Sequence, residues 1–161
     1  MASTAGTQRD FRTTIGHFAT GVTIVTATGA TGHAGLTTNA VASLSLDPLL
    51  VLVAFDNGSR TLPVVRDAGR FAVNVLRAGQ EDLAAVFASK RVAAEKFEAV
   101  THNVEHGVPV LDDALAWVVC DLQELHPAGD HTIGIGAVTA FDHDPAGEPL
   151  VFFRGEYRRI A

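Results

Sequence analysis

The sequence predicts a mainly β domain, an antiparallel barrel covered by a few short helices. Three observations favour this fold class. The chain of 161 residues has the size of a single domain. Its apolar runs are short, rich in β-branched residues, and separated by turns that contain glycine, proline or aspartate. The regular alternation of strands and helices that a doubly wound parallel sheet requires is missing.

The chain opens with a predicted tail and a predicted helix. Residues 1–8 are small and polar, which predicts a disordered tail and places the folded domain at residues 9–161. From Phe11 to Ala19, apolar residues recur on one helical face. Asp10 is the predicted N-cap of this helix, and Gly21 is its predicted C-terminal stop.

A β-hairpin and a second pair of strands follow. The runs 22–28 and 33–41 flank a turn that contains glycine, which predicts the hairpin. Asp47-Pro48 interrupts the next ladder because proline fixes φ and lacks an N–H group. Leu49 to Phe55 are successive apolar residues, and this pattern predicts a strand buried on both faces. Asp56-Asn57-Gly58 ends the strand with strong turn chemistry.

The second half of the chain continues in short elements. Residues 62–67 predict a helix, because a proline lies in the first turn, where it is tolerated. Residues 71–76 predict a strand, and residues 80–90 predict a helix with apolar side chains at helical spacing. Residues 115–125 predict an alternating strand, and residues 126–129 predict the turn that ends it.

His102 to His106 fit the pattern H-x-x-E-H, which some zinc proteases use. That chemistry needs both histidines on one face of a continuing helix. Gly107 and Pro109 follow at once and would end such a helix, and no third ligand can be identified. A solvated loop is therefore the favoured interpretation, and no metal site is predicted.

Composition argues against several classes of function. The net charge is −6 and charged residues make up 19% of the chain, so the basic face that nucleic acid or an anionic membrane requires is missing. An anionic ligand must then be bound by local arginines. Cys120 is the only cysteine, which excludes an intrachain disulfide and a thiolate metal cluster, and it is expected to be buried. The N-terminus lacks a secretory signal pattern, so a cytoplasmic protein is expected.

One stretch, from Gly35 to Thr61, carries the candidate binding chemistry. It begins with hydroxyl and amide side chains, passes through the apolar run, and ends with Ser59-Arg60-Thr61 at a strand-to-helix junction. Hydroxyls and free backbone N–H groups at the start of a helix bind phosphate oxygens, and an arginine adds a planar fork of donors. The same tripeptide also fits a solvated loop in which Thr61 caps the helix. The residues alone leave both interpretations open.

Five motifs stand in a particular order along the chain. They are Gly35-Leu36-Thr37-Thr38-Asn39, Ser43-Leu44-Ser45-Leu46-Asp47-Pro48, Ser59-Arg60-Thr61, Lys96-Phe97, and Gly129-Asp130-His131 with Gly136 and Val138. In this order they resemble the short-chain flavin reductase family, the reductase components of two-component flavin-dependent monooxygenases. The resemblance spans about Phe11 to Tyr157, and the last motif is its most specific part. It implies an FMN-binding split β-barrel that forms a homodimer, with the flavin near the subunit interface.

The resemblance also implies roles for particular residues. His131 would lie near the nicotinamide as the catalytic residue, where it could carry charge or donate a hydrogen bond. Its alternative role is that of a turn histidine bonded within its own loop, and Phe97 has the alternative role of a core residue. Ser59-Arg60-Thr61 would hold the flavin phosphate. The implied flavin- and nucleotide-binding residues are Thr37, Thr38, Asn39, Ala40, Ser43, Leu44, Ser45, Asn57, Ser59, Arg60, Thr61, Phe97, Tyr157 and Arg158.

By this resemblance the protein is an NAD(P)H:flavin oxidoreductase. A hydride would pass from the nicotinamide to FMN or FAD, and the reduced flavin would diffuse to a partner monooxygenase. NADH is favoured over NADPH, because Arg154, Arg158 and Arg159 are better explained as a solvated C-terminal face than as a 2′-phosphate site. Two alternatives remain open: a protein of the same fold that retains its flavin, and a small-ligand barrel without flavin.

Overall fold

The computed structural model describes residues 6–160, and its main element is a seven-stranded antiparallel sheet. In chain order the elements are α1 (Gln8–Ile15), β1 (Thr20–Gly21), β2 (Thr23–Gly29), β3 (Gly32–Thr38), β4 (Val41–Leu46), β5 (Leu49–Asp56), α2 (Thr61–Ala68), β6 (Arg70–Val75), α3 (Glu81–Ala88), α4 (Ala93–Glu98), β7 (His102–Glu105), β8 (Val108–Leu111), β9 (Ala116–Ala128), β10 (His131–His143), β11 (Val151–Phe153) and β12 (Glu156–Arg158). The order across the large sheet is β3-β2-β6-β9-β10-β5-β4. Strands β1, β11 and β12 form a second sheet, and β7 and β8 form a hairpin. The mainly β, antiparallel fold class with few helices is confirmed.

The large sheet curves around a hydrophobic core cluster. Three strands separate β2 from β5 in the sheet, yet Val25 of β2 and Phe55 of β5 belong to the same buried cluster. Phe71 of β6 packs against Phe55 with its ring nearly perpendicular. Helix α2 adds Leu62 and Val65 to this cluster. None of the helices between residues 6 and 160 has the length and apolar character that a membrane crossing requires.

Helix α1 begins and ends earlier than the sequence predicts. Thr7 is its N-cap, and the hydroxyl of Thr7 accepts the N–H of Asp10 while the Asp10 carboxylate accepts the N–H of Thr7. This reciprocal capping box satisfies two N–H groups that would otherwise lack partners, so Asp10 is the third helical residue and not the cap. Gly16 ends the helix, and Gly21 lies in β1 instead. Of the predicted tail, residues 1–5 lie outside the described residues.

The sequence predicts that strand β5 is buried on both faces, but the structure buries only one of them. Val53 and Phe55 are completely buried, whereas Leu52 and Ala54, whose side chains point to the opposite face, are only half-buried. The reason is that only one face of the strand is covered by the core cluster, while the opposite face lines an open cleft. Leu49 shares the core face but lies at the start of the strand, outside the core cluster, and remains 42% exposed.

Two other segments differ from their predictions because each pairs with the strand that follows it in the chain. His102 to Glu105 form strand β7 of a hairpin, where a solvated loop was expected. The helix that a zinc-protease motif requires is therefore not formed at these residues. The predicted turn at residues 126–129 belongs mostly to β9, since His126 pairs with Ile133 of β10. Gly129, with a φ of 66°, begins the actual turn.

The remaining predicted elements are confirmed, with small shifts at their ends. The first hairpin is β2–β3, although its second strand ends at Thr38 and a new strand begins at Val41. The ladder between β4 and β5 is interrupted at Asp47-Pro48, as the proline predicts. Cys120 is buried, and this burial raises the pKa of its thiol to about 12, so the thiol is neutral at physiological pH.

We expect Gly136→Ala to destabilise the domain. A methyl group at residue 136 would lie 2.6 Å from both the Cβ of Cys120 and the Cζ of Phe71. Overpacking of this kind costs about 1–3 kcal/mol of unfolding free energy, which urea denaturation measures. Gly21→Ala is the control, because a methyl group there meets no atom within 4 Å. Equal unfolding midpoints for the two variants would contradict the assignment of Gly136 to the core face.

Candidate functional site

The turn after β5 and the turn between β9 and β10 are bonded to each other. The backbone N–H of Asn57 donates to the carbonyl of Asp130 at 3.0 Å, and its side-chain amide donates to the carbonyl of Gly129 at 3.3 Å. The hydroxyl of Thr132 donates to the side-chain oxygen of Asn57 at 2.7 Å. Asp56 pairs with His131 across β5 and β10. Two motifs that are far apart in the sequence therefore share one end of the sheet.

The tripeptide Ser59-Arg60-Thr61 leads into helix α2. The hydroxyl of Ser59 accepts the N–H of Leu62 at 3.1 Å, so Ser59 satisfies the first turn of the helix. Thr61 is buried as the first helical residue, which shows that the interpretation of Thr61 as a cap is wrong. Arg60 is exposed and, within residues 6–160, forms no ion pair. Its guanidinium is thus available to a ligand.

The polar residues between β3 and β4 serve the backbone as well as the candidate site. Thr37 donates its hydroxyl to the carbonyl of Ala84 in α3 at 2.7 Å, which ties β3 to that helix. The hydroxyl of Thr38 accepts the N–H of Ala40 at 3.1 Å. The carbonyl of Ala40 accepts the N–H of Ala54 on β5 at 2.9 Å. Asn39 and Ala40 are thereby held at the inner wall of a cleft.

This cleft has a volume of about 1380 Å³ and lies on the face of β5 that points away from the core. Its floor includes Ala42 of β4 and Leu52 and Ala54 of β5, which are apolar. Helix α1 and the segment that follows it also line the cleft. Arg12 and Arg154 also line it, whereas none of its described lining residues is acidic. The cleft therefore suits a flat apolar group that carries negative charge.

His131 lies on the same face of the sheet as the cleft floor. Residues paired between antiparallel strands point to the same side, and side chains alternate along each strand. His131 pairs with Asp56, two residues from Ala54, so His131 and Ala54 share the outer face. The side chain of His131 is 41% exposed. A ligand on the floor of the cleft would extend toward this histidine.

Asp130 holds the ring of His131. The Nδ1 of His131 lies 2.7 Å from the Oδ1 of Asp130, and this hydrogen bond, followed by the charge of the histidine, lowers the pKa of the Asp130 carboxyl. Because a carboxylate accepts, Nδ1–H donates, and Nε2 is the nitrogen left for a ligand. His131 thus makes the hydrogen bond within its own loop that its alternative role as a turn histidine requires, and the same bond orients the ring.

Three predicted site residues lie far from Arg60 within one chain. Ser45 pairs with Leu50, six residues along β5 from Asp56, which corresponds to about 20 Å. Its hydroxyl accepts the N–H of Asp47 at 3.2 Å and so belongs to the hairpin turn. Leu44, in the bulge of β4, is 45% exposed. The chain by itself therefore does not bring Ser43, Leu44 and Ser45 to the turns that carry Arg60 and His131.

The aromatic and C-terminal candidates have partners of their own. Phe97 is buried, and its ring contacts Phe87 edge-on with centroids 5.2 Å apart, as expected for a core residue. Tyr157 packs against Phe152, and burial raises the pKa of its hydroxyl. Arg158 forms an exposed ion pair with Glu156. This pair agrees with a solvated C-terminal face.

The sequence did not identify the apolar floor or the arginines of the cleft as site residues. Leu52 and Ala54 lie within a continuous apolar run, and nothing in that run separates core positions from cleft positions. Arg12 lies in the predicted first helix, and no local pattern marks it as a ligand-binding residue. Arg154 reaches the cleft because its backbone N–H donates to the carbonyl of Gly16 at 2.8 Å, a contact between distant segments.

Comparison with known proteins agrees with this geometry. The family model of the flavin reductase like domain matches residues 15–161. A probable flavin reductase of Rhizobium meliloti (strain 1021) is 43% identical over 151 residues, which make up 92% of this chain and 48% of that protein. The chain thus spans about half the length of that relative. The reductase subunit HsaB of a flavin-dependent monooxygenase from Mycobacterium tuberculosis is 37% identical over 155 residues, or 94% of this chain and 82% of that subunit.

A solved structure gives the same result for the fold. The NADH:FAD oxidoreductase SgcE6 of Streptomyces globisporus C-1027, in complex with NAD and FAD fragments, has a TM-score of 0.90 to this chain at 36% identity. The similarity covers 96% of this chain and 93% of SgcE6. The family match, the relatives and the fold agree with the resemblance that the motifs indicate. The chain belongs to the flavin reductase family.

Proposed function

We propose that the chain reduces free flavin with NADH and releases the reduced flavin to a separate monooxygenase component. The observation that carries this proposal is the outer face of β5 and β10. It combines an apolar cleft floor at Leu52 and Ala54 with His131, and Arg60 follows β5 at the start of α2. The relatives named as reductase subunits and as an NADH:FAD oxidoreductase support the same activity.

The residues present fit a flavin. The apolar floor suits a flat tricyclic ring, and the exposed guanidinium of Arg60 stands next to the start of α2, where backbone N–H groups attract phosphate oxygens. When bound, the flavin ring supplies the centre that accepts the hydride. The protein contributes position, because Asn39 and Ala40 limit the ring at one wall of the cleft.

The nicotinamide dinucleotide would enter through the same cleft. Arg12 and Arg154 offer its phosphates two guanidinium groups in a lining that has no acidic residue among those described. His131, held through Nδ1, would present Nε2 to the nicotinamide or to the flavin edge. Because Arg158 is already paired with Glu156, we favour NADH over NADPH, whose 2′-phosphate needs a further free cation.

Purified protein mixed with NADH and a large excess of FMN tests the proposal. We expect continuous loss of NADH absorbance and flavin that separates from the protein on a desalting column. Yellow colour that remains bound without turnover would favour the alternative of a protein that retains its flavin. Failure to bind any flavin would leave only the small-ligand barrel.

His131→Ala should slow the hydride transfer while flavin affinity changes little. Loss of one hydrogen bond to a charged group corresponds to a rate reduction of about 10- to 100-fold. Single-turnover absorbance measures the rate, and quenching of flavin fluorescence measures the affinity. His143→Ala is the control, because His143 is an exposed histidine at the opposite end of β10. An unchanged rate in His131→Ala would remove this residue from the mechanism.

We further propose that the enzyme is a homodimer. Leu46 and Leu49 at the β4–β5 turn are 81% and 42% exposed, and Phe141 on β10 is 64% exposed. Exposed apolar side chains grouped at one region of a sheet are typical of protein–protein interfaces. A second copy would cover them, and the proposed flavin contacts of Ser43 and Ser45, which lie beside them on β4, require that copy.

Leu46→Asp should shift the protein toward monomers. A carboxylate in an apolar interface costs several kcal/mol of association free energy when it stays unpaired. Light scattering coupled to size exclusion measures the mass, and we expect twice the mass of one chain for the wild type. Val104→Asp is the control, because Val104 is 56% exposed on the separate β7–β8 hairpin. A monomeric wild type would contradict the proposed dimer.

A further inference from the structure

One hydroxyl group in the wall of the cleft has no hydrogen-bond partner. It belongs to Thr20 of β1, which lines the cleft. The Oγ1 of Thr20 is buried, and among the side chains of residues 6–160 it is the one buried polar atom that forms no hydrogen bond. A buried hydroxyl without a partner costs the protein free energy, so its presence in a cleft requires an explanation.

The other hydroxyl groups that line the cleft are satisfied within the chain. Thr13 donates to the carbonyl of Arg9 at 3.0 Å, and Thr23 donates to the carbonyl of Thr38 at 2.7 Å. Packing alone does not account for the hydroxyl of Thr20, because valine has nearly the same shape, suits a strand equally well and leaves no polar atom unpaired. We therefore expect this hydroxyl to find its partner outside the chain.

The segment between α1 and β1 places Thr20 beside strand β11. At one end of the segment, the carbonyl of Gly16 accepts the N–H of Arg154 at 2.8 Å. At the other end, Thr20 pairs with Phe152 of β11. Phe152 and Arg154 line the cleft as well. Thr20 thus lies two residues along β11 from Arg154, which corresponds to about 7 Å.

The hydroxyl of Thr20 is close enough to the cleft for a ligand to recruit it. The residue as a whole is only half-buried, so part of it still meets the cleft. Rotation about the Cα–Cβ bond exchanges the hydroxyl and the methyl group between staggered positions. A polar ligand group that bonds the hydroxyl favours the rotamer in which the bond forms, and it removes the cost of the unpaired oxygen.

We propose that the hydroxyl of Thr20 binds the carboxamide of the nicotinamide and holds the pyridine ring in position for hydride transfer. This inference rests on the proposed function, since it adds a substrate-binding residue to the same cleft. A carboxamide has both a donor and an acceptor, and a threonine hydroxyl can bond to either. A neutral hydroxyl fixes the orientation of the ring and adds no charge beside the atoms that react.

The position of Thr20 favours the nicotinamide over the flavin. Arg154, two residues along β11, is the guanidinium assigned to the phosphates of the dinucleotide, and one ribose joins the nicotinamide to those phosphates. The residues assigned to the flavin ring, Asn39 and Ala40, follow β3 and form a different part of the lining. The two ligands would therefore be held by different sides of the cleft.

Thr20→Val tests the proposal, because it removes the hydroxyl and keeps the shape. At saturating FMN we expect kcat/KM for NADH to fall about 3- to 10-fold, while the dissociation constant of FMN changes by less than about twofold. The urea midpoint should stay equal or rise, because an unpaired buried oxygen is lost. Thr20→Ser keeps the hydroxyl and should retain most of the wild-type kcat/KM.

Thr28→Val is the matched control. Thr28 lies on β2 outside the described lining of the cleft, and its hydroxyl is already hydrogen-bonded to the Nδ1 of His33 at 3.0 Å. This variant should lose stability and keep its kcat/KM for NADH, the reverse of the result expected for Thr20→Val.

Three results with Thr20→Val would overturn the proposal. An unchanged kcat/KM for NADH would show that the hydroxyl does not bind the nicotinamide. An equal loss of FMN affinity would place the hydroxyl at the flavin. A lower urea midpoint would show that the hydroxyl is already satisfied in the free protein. If instead the wild type does not oxidise NADH in the presence of FMN, the proposed function itself is wrong, and the inference falls with it.

A measurement on the wild type keeps the proposal testable if Thr20→Val does not fold. Nuclear magnetic resonance of methyl-labelled threonine reports the χ1 rotamer of Thr20 through its three-bond couplings. Saturating NAD⁺ should change the rotamer populations of Thr20, and FMN alone should leave them unchanged. Identical populations in the free protein and with NAD⁺ would overturn the proposal.

Discussion

The ladder between β5 and β10 is the constraint on which the rest of the structure depends. Its register sets Val53 opposite Gly134 and Phe55 opposite Thr132, which places one face of the strand pair in the core. The other face carries the cleft floor and ends at His131. A slip of one residue would exchange the two faces. The register resists such a slip because any side chain at residue 134 would lie within 2.8 Å of the Phe55 ring.

Local cations, and not the charge of the whole chain, make this site suitable for an anionic ligand. The net charge of −6 repels anions at long range, so attraction must come from groups within a few ångströms. Arg60 supplies it at the start of α2, and Arg12 and Arg154 supply it in the cleft, whose floor is apolar. The combination matches the shape of a flavin, a flat ring with a phosphate on a chain.

Sequence patterns predicted elements well where the signal was local. The breaks at Asp47-Pro48 and at Asp56-Asn57-Gly58, and the helix after Arg60, depend on the conformations of a few neighbouring residues. The patterns were wrong where pairing with another strand decided the structure. Residues 102–105 became a strand because β8 pairs with them, and β9 continued to Ala128 because β10 runs alongside. A buried strand and a strand that lines a cleft have the same apolar composition, so β5 was assigned to the wrong environment.

The sequence by itself determined the family and the fold class and indicated candidate site residues in its motifs, because turns, apolar runs and motif order are written in neighbouring residues. Only the tertiary structure decided which of those residues meet. It brought His131 next to the Asn57 turn, placed Ser45 about 20 Å along β5 from that turn, and buried Lys96 against two backbone carbonyls. These outcomes follow from sheet register and packing between segments far apart in the chain, and no local pattern encodes either.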